Sequence, residues 1–332
     1  MAEKNADKKI DPASITKLMT SYLVDKAIAA GDIALDEMVT ISDKAWRMKG
    51  SKMFVEVSKE VSVETLLKGL IIQSGNDATV ALAEHIAGTE SAFVSYMNHE
   101  AKLLGMLNSQ FKNASGWPAE GHYSTAKDIA ILAMAIIRDY PETYRYYKER
   151  EFTFNNIRQY NRNRLLWRDE TVDGVKTGYT EAAGYCLVSS AKRGDMRLIS
   201  VILGAKSDKE RTRDSQSFLN YGFRFYETHK LYTAGEILKK SSVWYGNKDK
   251  VSMGVANDIH ITIPRGRYKH LNVTMDIEKE ISAPIKSGQL LGMLTVELEG
   301  EQIAREKILA IHAVNEGDLL DWMMDTIKLM FK

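Results

Sequence analysis

Ser14-Ile15-Thr16-Lys17, Ser74-Gly75-Asn76 and Lys176-Thr177-Gly178 stand in that order along the chain. No other feature constrains the fold as much, because these residues act together only if distant segments close on one cleft. They supply a nucleophile with a nearby amine, a hydroxyl/amide pair and a cationic strand edge. Those are the parts of a serine acyl-transfer site that contains no histidine.

The first motif has a matching local context. Asp11 is a good N-cap and Pro12 suits the first helical position. Leu18, Met19, Tyr22, Leu23, Ala27 and Ile28 follow at helical spacing until Gly31. Ser14 is then expected in the first turn, with Lys17 three residues on and on the same face. The helix N-terminus favours negative charge near Ser14 and disfavours a protonated Lys17. A neutral amine is what a general base must be.

Each motif alone has a plainer reading. Ser14, Ser74 and Asn76 are all good capping residues. Ser189-Ser190-Ala191-Lys192 repeats the first pattern and Lys286-Ser287-Gly288 nearly repeats the third. The former ends a strand, where residues three apart face opposite ways. The latter is expected as a turn. Only the ordered set of three points to catalysis.

Composition excludes several classes. The 45 basic and 44 acidic residues give a net charge of +1, with no basic block of a nucleic-acid footprint. Cys186 is the only cysteine and the histidines lack ligand spacing, so neither a metal site nor a cofactor is expected. Cys186 itself lies in a strand-like run and reads as a buried thiol. No apolar run is long enough to span a bilayer. The residues after Met1 (Ala2-Glu3-Lys4-Asn5) are polar, and no leader is read there.

The pattern is mostly helical to about residue 225. Helices are expected from Ser62, from Asp77 to Ala87, from Ser91 to Leu104, from Ala126 to Arg138 and from Arg211 to Tyr221. Strands are expected at Glu151–Asn155, Tyr185–Ala191 and Leu198–Leu203. Beside such a sheet the Lys-Thr-Gly run would form an edge strand able to pair with an extended peptide. After about residue 227 the pattern turns to short alternating runs, including Ile259–Ile263, Leu271–Ile277, Leu290–Leu298 and Ile308–Val314. That predicts an all-β second domain with a structural or spacing role. The last residues change again. Leu320, Met323, Met324, Ile327 and Phe331 share one helical face, opposite Asp318, Asp321, Asp325, Lys328 and Lys332, with Trp322 between. This reads as an amphipathic helix on a membrane surface, or one packed on its own domain.

Asp11–Thr20, Gln73–Asp77, Tyr123–Lys127 and Val172–Thr180 resemble the low-molecular-mass penicillin-binding proteins, the D-alanyl-D-alanine carboxypeptidases of the penicillin-binding protein 5 type. The resemblance extends into the β domain at Ile263-Pro264-Arg265-Gly266 and to the terminal helix. It implies an α+β fold: a β-lactamase-like catalytic domain with helices around an antiparallel sheet (1–227), an all-β domain (228–315) and the amphipathic helix (316–332). It implies a substrate, the peptidoglycan stem peptide, covalent inhibition by β-lactams, and a place on the outer, periplasmic face of a bacterial inner membrane. By matching motif, Ser14 is the nucleophile and Lys17 its base. Ser74 and Asn76 relay a proton to the leaving group and hold the substrate amide, and Lys176 adds positive potential that keeps Lys17 neutral. Thr177 and Arg211 bind the terminal carboxylate. The strand at Gly178 and Tyr179 receives the substrate, with N–H groups of Ser14 and Tyr179 as oxyanion hole. Arg162 supports the Ser74 loop, and Ser51–Phe54 borders the site. Family members also carry a leader and two strands ahead of the first motif, which the chain as written lacks.

Two rival readings stay open. A serine β-lactamase shares the first and third motifs but needs a carboxylate to activate its deacylating water. A truncated, inactive relative would still bind wall peptide.

Overall fold

Asp11 and Pro12 decide how the first helix begins. The computed structural model describes residues 1–330. A 3-10 turn, Ala13–Thr16, precedes α1 (Lys17–Ala30), so helical geometry starts one residue later than the Pro12 expected. Asp11 still caps: its Oδ1 accepts from the Ala13 N–H at 2.8 Å. Gly31, in the left-handed region at φ 77°, closes the helix as predicted. Helix α1 is buried on nearly every side, including Lys17, Thr20, Ser21 and Asp25, so it is the central helix and not an amphipathic surface one.

The chain divides into two compact units, Met1–Arg224 and Phe225–Lys332. In the first, β1 (Met38–Thr40) and β2 (Glu60–Ser62) pair around α2 (Asp43–Arg47). Helix α3 (Val63–Lys68) runs into a wide turn, Gly69–Gln73, before α4 (Asn76–Ala87) and α5 (Glu90–Leu103). Helices α6 (Ala126–Asp139) and α7 (Pro141–Tyr144) lead to a hairpin of β3 (Glu151–Phe154) and β4 (Ile157–Tyr160). That hairpin turns on Asn155 and Asn156, at φ 49° and 59°. Asparagine tolerates the left-handed region that such a tight turn demands.

Strands β5 (Val172–Thr180), β6 (Gly184–Arg193) and β7 (Met196–Ala205) form an antiparallel sheet in that order, followed by α8 (Asp208–Phe225). Lys176 pairs with Val188 and Gly178 with Cys186, which leaves β5 on the sheet edge. Cys186 is buried. Leu18, Met19, Leu66, Leu67, Leu70 and Phe93 sit at the centre of one apolar core.

The second unit is all β, with a terminal helix. Strand β8 (Tyr226–Tyr232) pairs with β11 (Ile259–Pro264). Strands β9 (Lys239–Ser242), β10 (Lys250–Gly254), β12 (Leu271–Ile277), β13 (Leu290–Leu298) and β14 (Glu301–Ala310) form a sheet in the order β12-β13-β14-β10-β9. The last strand begins earlier than the expected Ile308–Val314. Most of its first seven residues are exposed, so it shows no apolar alternation. The unit has its own core around Met253, Leu291, Leu294, Val296 and Ile308.

Helix α9 (Leu319–Met330) closes the described chain. Asp325 Oδ2 accepts from the Tyr245 N–H at 2.8 Å, and Trp322 lies 5.5 Å from the Tyr245 ring. Leu320 (71% exposed), Met323, Met324 and Ile327 face outward. Phe331 and Lys332, assigned above to its two faces, lie outside the described residues. No helix among the described residues is long and apolar enough to cross a membrane.

Candidate active site

Lys17 is the centre of the site. It is fully buried on α1, one turn from Ser14. Its Nζ lies 3.1 Å from Ser14 Oγ, 2.7 Å from Asn76 Oδ1 and 2.7 Å from the Ser115 carbonyl. Burial, then the like charge of Arg162, push its pKa down to about 7, against a weaker opposing pull from Asp77. A neutral lysine amine carries two hydrogens and one lone pair. Asn76 and Ser115 accept the two hydrogens, which leaves the lone pair for the Ser14 hydroxyl proton.

The Ser74 turn is held open by its backbone. Ser74 ends the Gly69–Gln73 turn at φ 65°, a left-handed conformation for a non-glycine residue. Its Oγ is buried and has no hydrogen-bond partner among the described residues. Asn76 then starts α4, where its Nδ2 donates to the Lys49 carbonyl at 2.6 Å and its N–H to the Ser51 carbonyl at 2.7 Å. Asp77 completes the join. Its Oδ1 accepts from Met53 and Ala78, and its Oδ2 from Phe54 and Val55. The Ser51–Phe54 loop is thus sewn to the second motif by one carboxylate.

Strand β5 packs directly on the Ser14 turn. A Cβ on Gly178 would meet the Pro12 carbonyl oxygen at 3.1 Å and the Ile15 nitrogen at 3.2 Å, so any larger residue would force the turn to give by a few tenths of an ångström. Thr180 Oγ1 donates to Asp11 Oδ2 at 3.2 Å. Strand alternation puts Lys176 on the same face as Gly178. Lys176 is buried, and burial together with Lys17, Arg162 and Arg211 holds its own pKa well below the usual lysine range. Arg162 adds like charge to Lys17, and Lys17 and Lys176 repel each other across the same site. Thr177 is buried beside it, and the Tyr179 ring is exposed, 4.4 Å from that of Tyr185.

Arg162 donates from Nε to the Gln73 carbonyl at 3.1 Å, which ties the chain after β4 to the Ser74 turn. Arg211, on α8, is more committed than expected. Its Nη1 donates to the carbonyls of Gly178 (2.9 Å) and Cys186 (3.0 Å), and Nε and Nη2 engage Asp208 Oδ1. It braces the β5–β6 pair from behind. Gln73, Arg162, Asp208 and Arg211 also line a cavity of about 650 Å³ that opens beside the Ser74 turn.

The sequence reading missed Ser115, Asp77 and His122. His122 is neutral, its pKa pushed down to about 4 by burial. Its Nδ1 accepts from the Lys112 N–H, so its Nε2–H faces Thr16 Oγ1 at 2.9 Å. Only the Asn-x-x-Gly spacing of Asn113–Gly116, a turn signature, could have flagged this region.

A half-buried serine beside a buried lysine, a hydroxyl/amide turn and an edge strand make up the parts of a serine acyl-transfer site. Residues 1–207 match the family described as "D-alanyl-D-alanine carboxypeptidase", and residues 226–316 match the "Penicillin-binding protein 5, C-terminal domain" family. The chain belongs to the D-alanyl-D-alanine carboxypeptidase family. It is 45% identical to D-alanyl-D-alanine carboxypeptidase DacC of Escherichia coli K12, over the whole chain and 85% of that protein. It is 43% identical to DacA of the same organism, over the whole chain and 84% of that protein. A solved structure of penicillin binding protein 5 from Haemophilus influenzae superposes with a TM-score of 0.85 at 42% identity, covering 95% of this chain and 94% of that one.

Proposed function

We propose that the chain is a serine-type D-Ala-D-Ala carboxypeptidase that removes the terminal D-alanine from peptidoglycan stem peptides through an acyl-enzyme on Ser14. The observation that carries this reading is the Lys17 amine, poised near neutrality with both hydrogens directed at acceptors. Lys17 takes the Ser14 proton as Oγ attacks the penultimate carbonyl. Backbone N–H groups of Ser14 and Tyr179 stabilise the oxyanion, a contribution of several kcal/mol in such sites. Ser74 gives its hydroxyl proton to the leaving amine and takes one back from the Lys17 ammonium, which returns Lys17 to the neutral amine. The substrate lies extended along β5, with its terminal carboxylate toward Thr177, Arg162 and Arg211. Water then releases the acyl group with Lys17 again as base.

β-Lactams would acylate the same serine. A related enzyme, penicillin-binding protein D2 of Listeria monocytogenes (32% identical, TM-score 0.61, 67% of this chain and 91% of that one), has been solved in an ampicillin-bound form. The β-lactamase reading is disfavoured, because Glu151 pairs with Arg158 at 2.6 Å on the hairpin and Asp77 is spent on backbone N–H groups. Helix α9, anchored through Asp325 with its apolar side outward, would lie in a membrane interface on the periplasmic side.

The test is incubation with a peptide ending in D-Ala-D-Ala and with penicillin. Free D-alanine and one covalent adduct, both lost in Ser14→Ala, are expected. An adduct that persists in Ser14→Ala overturns the assignment, and rapid penicillin turnover would restore the β-lactamase reading.

A further inference from the structure

We infer that Asn113 is a positioning residue for the general base, acting through the Ser115 carbonyl; this rests on Lys17 being that base. Asn113 lies in the loop between α5 and α6, in Asn113-Ala114-Ser115-Gly116-Trp117. Its Oδ1 accepts from the backbone N–H of Ser115 (3.2 Å), Gly116 (2.8 Å) and Trp117 (3.0 Å), and from Ser115 Oγ (3.3 Å). Its Nδ2 donates back to the Trp117 carbonyl at 2.8 Å. One side-chain amide thereby winds the loop around itself.

The wound loop is pressed against the nucleophile's own turn. Gly116 sits at φ 79°, and a Cβ there would fall 1.8 Å from the Ala13 carbonyl oxygen, immediately before Ser14. Ala114 is fixed on either side of its peptide, its carbonyl accepting from Thr20 Oγ1 at 2.7 Å and its N–H donating to Glu90 Oε1 at 3.0 Å. Between these contacts the Ser115 carbonyl has one direction left, toward Lys17 Nζ.

That direction matters for proton transfer. With Asn76 taking one amine hydrogen, the Ser115 carbonyl takes the second and so orients the lone pair at Ser14. The carbonyl dipole also faces the ammonium that forms when the proton arrives and so is a partner for its charge. Loosening the loop therefore has two effects: the lone pair loses its aim, and the ammonium loses a partner.

The test compares Asn113→Ala and Asn113→Asp with wild type, by the rate of acylation with penicillin across pH 5–9 and by thermal melting. Asn113→Ala is expected to slow acylation about ten-fold or more, since small misplacements of a reacting group cost up to ~10²-fold. Its pH midpoint should move downward. Asn113→Asp keeps the acceptor oxygen but gives up the donor to the Trp117 carbonyl. Its midpoint should move upward by its negative charge. A slow Asn113→Ala variant whose midpoint stays at the wild-type value, or an Asn113→Asp variant whose midpoint does not rise, would make Asn113 merely structural and overturn the inference. Lys17→Ala, run in parallel, separates this from the underlying reading: normal acylation there would remove Lys17 as base, whatever Asn113 does.

Discussion

Gly178 on the edge strand and Ile15 in the turn that carries the nucleophile approach so closely that a single methyl group on the glycine would come within 3.2 Å of the Ile15 nitrogen. The distance from Ser14 to the substrate-pairing edge is set by this contact. Gly178→Ala should push β5 off the turn and slow acylation by about 10–10²-fold, in line with the cost of misplacing reacting groups. The rest of the fold should stay intact. Stopped-flow acylation and far-ultraviolet circular dichroism check this together; unchanged acylation would show that the contact is slack.

Acylation should rise with pH through about 7 and then level off, because the Lys17 pKa is pushed down to about 7 and only the neutral amine accepts the Ser14 proton. Lys17→Arg should lose about 10²–10⁴-fold, the usual worth of general-base help, since a guanidinium keeps its proton. A flat profile in wild type would remove Lys17 from the rate.

Arg162 acts on that same midpoint. Its charge lowers the Lys17 pKa, so Arg162→Gln should shift the acylation midpoint upward, and Arg162→Lys should hold it near the wild-type value. Equal midpoints in wild type and Arg162→Gln would remove Arg162 from the causes of the low pKa.

Asp25 gives the fold its own pH dependence. It is buried in α1 with neither carboxyl oxygen hydrogen-bonded among the described residues, and burial pushes its carboxyl up to about 8 from an ordinary 3.8. Between those values the folded protein keeps a proton that the unfolded chain has lost. The contribution to stability is thus fully present below about pH 4 and falls away as pH rises toward about 8. Its full size is on the order of several kcal/mol. Urea melts at pH 5 and pH 8 should show wild type losing more stability than Asp25→Asn over that interval. Parallel losses in both proteins would assign the slope to other groups.

Deleting residues 317–332 should abolish co-sedimentation with lipid vesicles and leave hydrolysis of a soluble D-Ala-D-Ala peptide unchanged. The outward apolar side chains of α9 could supply several kcal/mol of membrane affinity at ~25 cal/mol per Å² of apolar area. If the shortened protein instead melted far lower, the helix would belong to the domain's packing.

The candidate site residues were legible because Ser14, Lys17, Ser74, Asn76 and Lys176 stand as types at fixed local spacing. Helix α1 and strands β6, β12 and β13 were legible from apolar periodicity and from turn residues such as Gly31. Contacts made by backbone atoms were not. The Ser115 carbonyl reaches Lys17 from 98 residues away, and Asp77 earns its place by accepting N–H groups of residues 53–55, which any sequence could offer. Strand β4 was hidden because Ile157–Tyr160 is mostly exposed, with only Gln159 buried. Strand β14 was hidden for the same reason. The arginines were visible as charges, but only the fold shows that Arg162 adds like charge beside Lys17 and that Arg211 ties β5 to β6 while lining the cavity by the Ser74 turn.

Because β5 sits at the end of its sheet, a peptide laid along it would be gripped by main-chain groups that every amino acid shares. Such a grip is indifferent to what the middle of the peptide carries. Selectivity then falls to the chain end, where the carboxylate and the small alanine methyl must fit. An enzyme built this way would trim stem peptides of differing internal composition with similar ease while refusing any whose end is amidated, cross-linked or bulky.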